Sequence, residues 1–135
     1  MSDETARLRR LLEDELGACR PEDLEQRLAT LDDLEADTPL DHAAEHAAVF
    51  DALGSETRYR LVRLLAAAEG DLCVCELTPL VGVSQSATSH ALRELRDAGL
   101  VTSRTEGRWH YYDTTDRAEA LVAAFDRTLS TEASA

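Results

Sequence analysis

The chain has no lysine, no isoleucine and no asparagine among its 135 residues, and only three cysteines. Its 14 basic residues are all arginine, set against 27 carboxylates for a net charge of -13. That sign argues against an ordinary nucleic-acid binder, because phosphates attract basic surfaces. The missing residue types, with abundant alanine, fit a GC-rich genome. With the acidic excess they fit a halophilic microbe whose cytoplasm holds very high salt, where surface charge is screened and acidity says little about partners. No apolar run reaches the roughly 18 residues of a membrane span, so no membrane association is expected. The start, Met1-Ser2-Asp3-Glu4, lacks the basic and apolar segments of a signal peptide. These absences predict a cytoplasmic protein. Thiols stay reduced in that compartment, so a close cysteine pair points to metal binding or redox sensing rather than to a structural disulfide.

The length suits one domain with a core plus an extension. Its charge is uneven. Residues 84–112 carry four arginines against three carboxylates, with His90 and His110, while every other stretch is acidic. That segment is the place for a phosphate backbone.

Residues 1–38 read as an acidic helical arm. Leu8, Leu11, Leu12 and Leu16 share one helix face, Gly17 ends that helix, and Pro21 opens a second with Leu24, Leu28 and Leu31 as its stripe. The arm serves either packing or ligand supply, or it is a solvated accessory hairpin. Residues 39–130 read as the main domain, and 131–135 as a disordered tail. A helix from Asp41 to Leu53 stops at Gly54, and Ser55 caps the next. A short helix ends near Val81, Gly82-Val83 makes the turn, and Ser84 caps a long helix from Gln85 to Ala98. Strand-like residues follow from Leu100, then a turn at Thr105-Glu106-Gly107-Arg108 and the strand Trp109-His110-Tyr111-Tyr112. A last helix spans Thr115 to Leu129. Short helix, tight turn and long helix make a helix-turn-helix. The two-stranded hairpin behind it makes that unit winged, in a mainly α fold.

The long helix opens Ser84-Gln85-Ser86-Ala87-Thr88-Ser89-His90. The first turns of a recognition helix enter the major groove, and small hydroxyls, an amide and an imidazole suit close approach to bases and phosphates. The predicted DNA contacts are Ser84, Gln85, Ser86, Thr88, Ser89 and His90, with Arg93 one turn on and Arg104 and Arg108 on the wing.

The stretch Asp71-Leu72-Cys73-Val74-Cys75-Glu76-Leu77 places two thiols one residue apart. That spacing fits disulfide geometry poorly, but two thiolates can converge on one soft ion. Pro79 is disfavoured inside a helix, so the short helix is expected to begin near Cys75 or Glu76. The thiols would then sit at a helix N-terminus, which lowers a thiol pKa. His42 and His46, four apart on one helix face, have zinc-compatible spacing and read more simply as a polar surface. No oxyanion loop, phosphate cradle or paired-carboxylate cleft suggests an enzyme, and nothing calls for an organic cofactor.

Residues 52–112 resemble the ArsR/SmtB family of metal-responsive winged-helix repressors. The resemblance rests on Ala52-Leu53-Gly54-Ser55-Glu56-Thr57-Arg58, Leu72-Cys73-Val74-Cys75-Glu76-Leu77, Val83-Ser84-Gln85-Ser86-Ala87-Thr88-Ser89-His90-Ala91-Leu92, Leu95-Arg96-Asp97-Ala98-Gly99-Leu100-Val101 and Glu106-Gly107-Arg108-Trp109-His110-Tyr111-Tyr112. It implies a homodimer on double-stranded operator DNA, with Val49, Leu53, Leu121, Val122 and Phe125 at the dimer interface. It implies release by a metal or metalloid. In arsenic-sensing members a Cys-Val-Cys in this place binds trivalent arsenic or antimony, so Cys73 and Cys75 carry over, with arsenite or antimonite as inducer. Those members add a third cysteine where this chain has Thr78. Cadmium- and lead-sensing relatives draw thiols from an N-terminal arm, which makes Cys19 the candidate third ligand here and leaves cadmium, lead or zinc, or a thiol redox switch, as alternatives.

Overall fold

A computed structural model describes the backbone of residues 3–134 and the side chains of residues 3–129. It divides into two compact units, Met1–His42 and Ala43–Ala135, so the main domain starts four residues later than the sequence suggests. Among the described residues no helix is long and apolar enough to cross a membrane.

The first unit is a helical hairpin of α1 (Asp3–Leu16) and α2 (Pro21–Asp37). Its buried seam is narrow, consisting of Leu12 and Leu24. Arg27 reaches back across the hairpin to Glu15 at 3.4 Å. Pro21 stands at the first helical position, and the Arg20 amide donates to the Asp23 carboxylate at 3.0 Å, closing off an N-terminal donor that the helix itself cannot satisfy.

The second unit runs α3 (Ala43–Leu53), α4 (Glu56–Ala67), β1 (Leu72–Cys73), α5 (Val74–Val81), α6 (Gln85–Asp97), β2 (Val101–Glu106), β3 (Trp109–Thr114) and α7 (Asp116–Ser134). It is a winged helix-turn-helix: α5, a turn and α6, followed by a β-hairpin. One strand goes beyond the expected hairpin. Leu72-Cys73 pairs antiparallel with Tyr111-Tyr112, giving a three-stranded sheet in the order β1-β3-β2. α7 continues through Ser134, so residues 131–134 of the expected unstructured tail are helical backbone, and Ala135 lies outside the described residues.

The core follows helical spacing. Leu61, Val62 and Leu65 of α4 meet Val74, Leu77 and Val81 of α5 and Ala91, Leu92 and Leu95 of α6. Leu61, Leu77, Leu92, Leu95 and Leu100 are fully buried, each worth about 1.5–3 kcal/mol of transfer free energy. Two glycines shape the helix-turn-helix. Gly82 closes α5 in the left-handed region at φ 71°, where an L side chain is strained. Gly99, at φ 76°, ends α6. There the Gly99 amide donates to the Arg96 carbonyl and the Leu100 amide to the Leu95 carbonyl, both at 3.0 Å. This paired bonding is a Schellman C-cap, and it turns the chain from the recognition helix straight into the wing.

Candidate nucleic-acid interface and thiol pair

α6 is capped by Ser84, whose hydroxyl accepts from the Ala87 amide at 3.0 Å. Gln85, Ser86 and Arg93 are exposed, and Ser89 is half-buried. Thr88 departs from expectation. It is fully buried, and its hydroxyl donates to the Ser84 carbonyl at 2.9 Å. It belongs to the stripe formed with Ala91, Leu92 and Leu95 and cannot contact DNA. His90 is exposed and lies 2.6 Å from Glu94, which also takes Arg58 at 2.6 Å. Sequence reasoning missed Glu94 as the carboxylate joining the recognition helix to α4. Its spacing, four residues after His90, is the signal that was available.

The wing carries Arg108 over the ring of Trp109 at 5.5 Å, beside Gly107 at φ 62°. Arg104 is more constrained. Its Nε donates to Asp71 at 2.6 Å and its Nη1 to Glu106 at 2.8 Å, and its guanidinium stacks on Tyr111 at 4.4 Å. The hydrogen bonds it donates, that to Asp71 first, hold the guanidinium still more firmly in its charged form. Asp71, in a loop ahead of the sheet, is the second residue that pattern reading missed.

The thiol pair occupies the β1–α5 junction. α5 begins at Val74 with Cys73 as its N-cap, a residue or two earlier than the proline argument suggests. Pro79 therefore sits in the second turn, where it leaves the Cys75 carbonyl without its helical amide donor. The cap is a capping box with sulfur in place of a hydroxyl. Cys73 Sγ accepts from the Cys75 amide at 3.4 Å, and Glu76 accepts from the Cys73 amide at 2.9 Å. Cys75 Sγ donates to Cys73 Sγ at 2.8 Å. Cys73 is buried and Cys75 exposed. The expected lowering of thiol pKa does not hold for Cys75. Its thiol is pushed up, first by the hydrogen bond to Cys73, then by desolvation and by the negative character of Cys73 and Glu76.

The donor set suits two bonds to one soft ion: adjacent sulfurs, one of them open to solvent. Among the described residues no third His, Cys, Asp or Glu joins them in a metal-holding cluster. Thr78 donates its hydroxyl to the Val74 carbonyl at 2.8 Å. Cys19 lies in the other unit, half-buried, with its thiol on the Arg20 carbonyl.

The predicted dimer residues divide. Val49 is buried within one chain, and Leu53, Leu121 and Val122 are half-buried in the same core. The exposed apolar side chains nearby are Phe50, 65% exposed, Phe125 and Leu129. Phe50 lines a shallow cavity of about 320 Å³ with His46, Val49, Arg117 and Leu121. Phe50 is thus the exposed aromatic residue of α3, one position from Val49.

Known proteins share this fold. The family described as "Bacterial regulatory protein, arsR family" matches residues 55–103. A Halobacterium salinarum protein, described as a candidate arsenical resistance operon repressor, is 46% identical over 122 residues, covering 90% of this chain and 95% of its own. A cadmium resistance regulatory protein CadC homolog of Staphylococcus aureus is 37% identical over 84 residues, 62% of this chain and 65% of its own. The solution structure of a homodimeric winged helix-turn-helix DNA-binding domain from Mycobacterium bovis, from a candidate ArsR-family regulator, superposes with a TM-score of 0.58 at 27% identity, covering 71% of this chain and 87% of that one.

Proposed function

Because the chain belongs to the arsR family of regulatory proteins, we propose that it is a homodimeric repressor of a metal(loid)-resistance operon, a regulator and not an enzyme. It holds operator DNA through the first turns of α6 and the wing, and it lets go when trivalent arsenic or antimony bonds to Cys73 and Cys75. The observation that carries this reading is the 2.8 Å approach of the two sulfurs at the point where β1 becomes α5. An ion held there grips the wing sheet and the first helix of the helix-turn-helix at once. DNA and inducer then favour different arrangements of one unit, which is reciprocal coupling of typically about 1–3 kcal/mol.

Gln85, Ser86, Ser89, His90, Arg93 and Arg108 are the proposed DNA contacts, with Ser84 acting as cap. Phe50, Phe125 and Leu129, with Leu121 at the edge, are the proposed dimer surface. A two-fold protein reads two half-sites. The test is binding to the DNA upstream of its own gene, with and without arsenite. Release by arsenite that survives Cys73→Ser and Cys75→Ser sinks the assigned site.

A second reading is favoured by the engagement of Thr78 with a backbone carbonyl. The third donor then comes from elsewhere, and Cys19, from the same chain or its partner, completes a three-sulfur site for cadmium or lead. Under this reading cadmium displaces the DNA at lower concentration than arsenite, and Cys19→Ser abolishes that advantage.

A further inference from the structure

Arg104 is half-exposed, yet two carboxylates and an aromatic ring already engage it. Asp71 holds its Nε at 2.6 Å, Glu106 holds its Nη1 at 2.8 Å, and Tyr111 lies under the guanidinium plane at 4.4 Å. A phosphate oxygen that takes the Nε edge of the guanidinium must displace Asp71 to reach it. Asp71 is the better placed of the two carboxylates: its side chain is 29% exposed, against 69% for Glu106. It also belongs to a different part of the chain, 33 residues away, so the bond ties two segments together.

The register shows what lies on the other side of this tie. Cys73 is opposite Tyr111 on the β1–β3 ladder, and Tyr111 is opposite Arg104 on the β3–β2 ladder. Directly opposed residues project from the same face of a sheet. Cys73, Tyr111 and Arg104 therefore form one row across three strands, and Asp71 follows that row from two residues before Cys73. An ion that fixes Cys73 against Cys75 fixes the strand that directly follows Asp71 and abuts Tyr111.

We propose that Asp71 is an internal competitor for the DNA phosphate that Arg104 can bind, and that the Cys73–Tyr111–Arg104 row puts this competition under the control of the thiol pair. With the inducer in place the row is stiff and Arg104 stays on Asp71. Without it, phosphate wins the guanidinium. This rests on the repressor reading for its inducer, but not for its competition step, which any DNA duplex reports.

The experiment is a double-mutant cycle on the full-length protein. It measures affinity for a random-sequence duplex and for its own upstream DNA across a salt series. Asp71→Asn keeps the side-chain shape and removes the charge. It is expected to tighten binding by roughly threefold to fivefold, the scale of one exposed ion pair, and to steepen the salt slope by up to about 0.9, the contribution of one phosphate contact. Arg104→Gln weakens binding and flattens the slope, and in that background Asp71→Asn loses most of its effect. Arsenite, added as the probe, lowers the affinity of the Asp71→Asn protein by a smaller factor than that of the wild type. The proposal is overturned if Asp71→Asn leaves affinity and slope unchanged, or if its effect is undiminished by Arg104→Gln, since the charge is then acting at a distance and not through this pair. If the cycle behaves as expected but arsenite leaves the wild-type protein on its DNA, the competition stands and the arsenic reading fails.

Discussion

Arg58 at the start of α4 reaches Glu94 in the middle of α6 at 2.6 Å, so one ion pair fastens the recognition helix to the helix behind it. The same guanidinium donates to the Ala52 and Asp51 carbonyls at 2.7 and 3.2 Å. These carbonyls lie in the last turn of α3, where helical partners run out; Asp51 also accepts from the Gly54 amide at 3.1 Å, and Ala52 relies on the guanidinium.

Arg58→Ala should therefore cost more than a surface ion pair. Removing the guanidinium leaves the Ala52 carbonyl to water, while Asp51 keeps the Gly54 amide at 3.1 Å, and unties three helices, for an expected loss of about 1–3 kcal/mol in urea unfolding. Glu94→Gln removes only the charge partner and should cost about 0.2–1 kcal/mol. Equal losses for the two variants would mean that the carbonyl bonds contribute nothing.

The turn of the helix-turn-helix offers a backbone test. Gly82 stands at φ 71° with nothing within 4 Å of where a Cβ would be. Gly82→Ala therefore brings strain without a clash, about 1–2 kcal/mol. Gly82→Asn, which tolerates this region better, should recover part of it. Thermal unfolding that cannot tell Ala from Asn here would contradict the assigned strain.

The parts of this molecule legible in its sequence are those governed by repeating spacing. Helix faces such as Leu61, Val62 and Leu65, the Ser55 and Ser84 caps, and the closing glycines at 82 and 99 all act within a turn or two of themselves. β1 is not legible, because two residues have no period, and Leu72-Cys73 becomes a strand only by pairing with Tyr111-Tyr112. Thr88 shows that the pattern can be misread: its hydroxyl suggests DNA, yet positions 88, 91, 92 and 95 form one buried stripe. Asp71 and Arg104 lie 33 residues apart, and only the sheet brings them together. The thiol pair itself is plain in the sequence, but its hydrogen bonds and the direction of the Cys75 shift depend on the capping geometry.

The dimer surface is tested by charge. Phe50 and Leu129 are 65% and 64% exposed and contribute little to the core of a single chain. Phe50→Glu and Leu129→Glu should each leave the fold intact by circular dichroism and shift sedimentation at micromolar protein from dimer to monomer, since a buried unpaired carboxylate is costly. Val49→Ala, by contrast, truncates a core side chain and should lower stability by about 1–3 kcal/mol. A monomeric wild type, or a dimer untouched by both glutamates, excludes this face.

Cys75 provides a test by pH. Its thiol is held in the neutral form chiefly by its hydrogen bond to Cys73, so its thiolate appears only above the ordinary thiol range. In a Cys19→Ser background, alkylation of Cys75 should be slow at neutral pH and should rise at higher pH than for a free thiol. Cys73→Ala removes the first cause of the shift and should move that profile to lower pH. A profile that does not move would mean that burial and Glu76 dominate instead.

The sharpest test of the effector site restores the missing thiol. Thr78 lies three residues after Cys75 on the same helix, so it projects from the same side. Its hydroxyl is held by the Val74 carbonyl at 2.8 Å, a bond a thiol replaces weakly, leaving the new sulfur free to turn outward. Thr78→Cys should therefore give the Cys73–Cys75 pair a third sulfur without moving α5. Arsenite should then release the variant from DNA at about tenfold lower concentration, a gain of about 1.4 kcal/mol. The cost of losing the Thr78 bond should be no more than about 0.5–1.5 kcal/mol of stability. If the midpoint for arsenite stays where it is while Cys73→Ser still abolishes the response, the wild-type ion already has its third donor. Repeating the titration in Cys19→Ser then shows whether Cys19 supplies it.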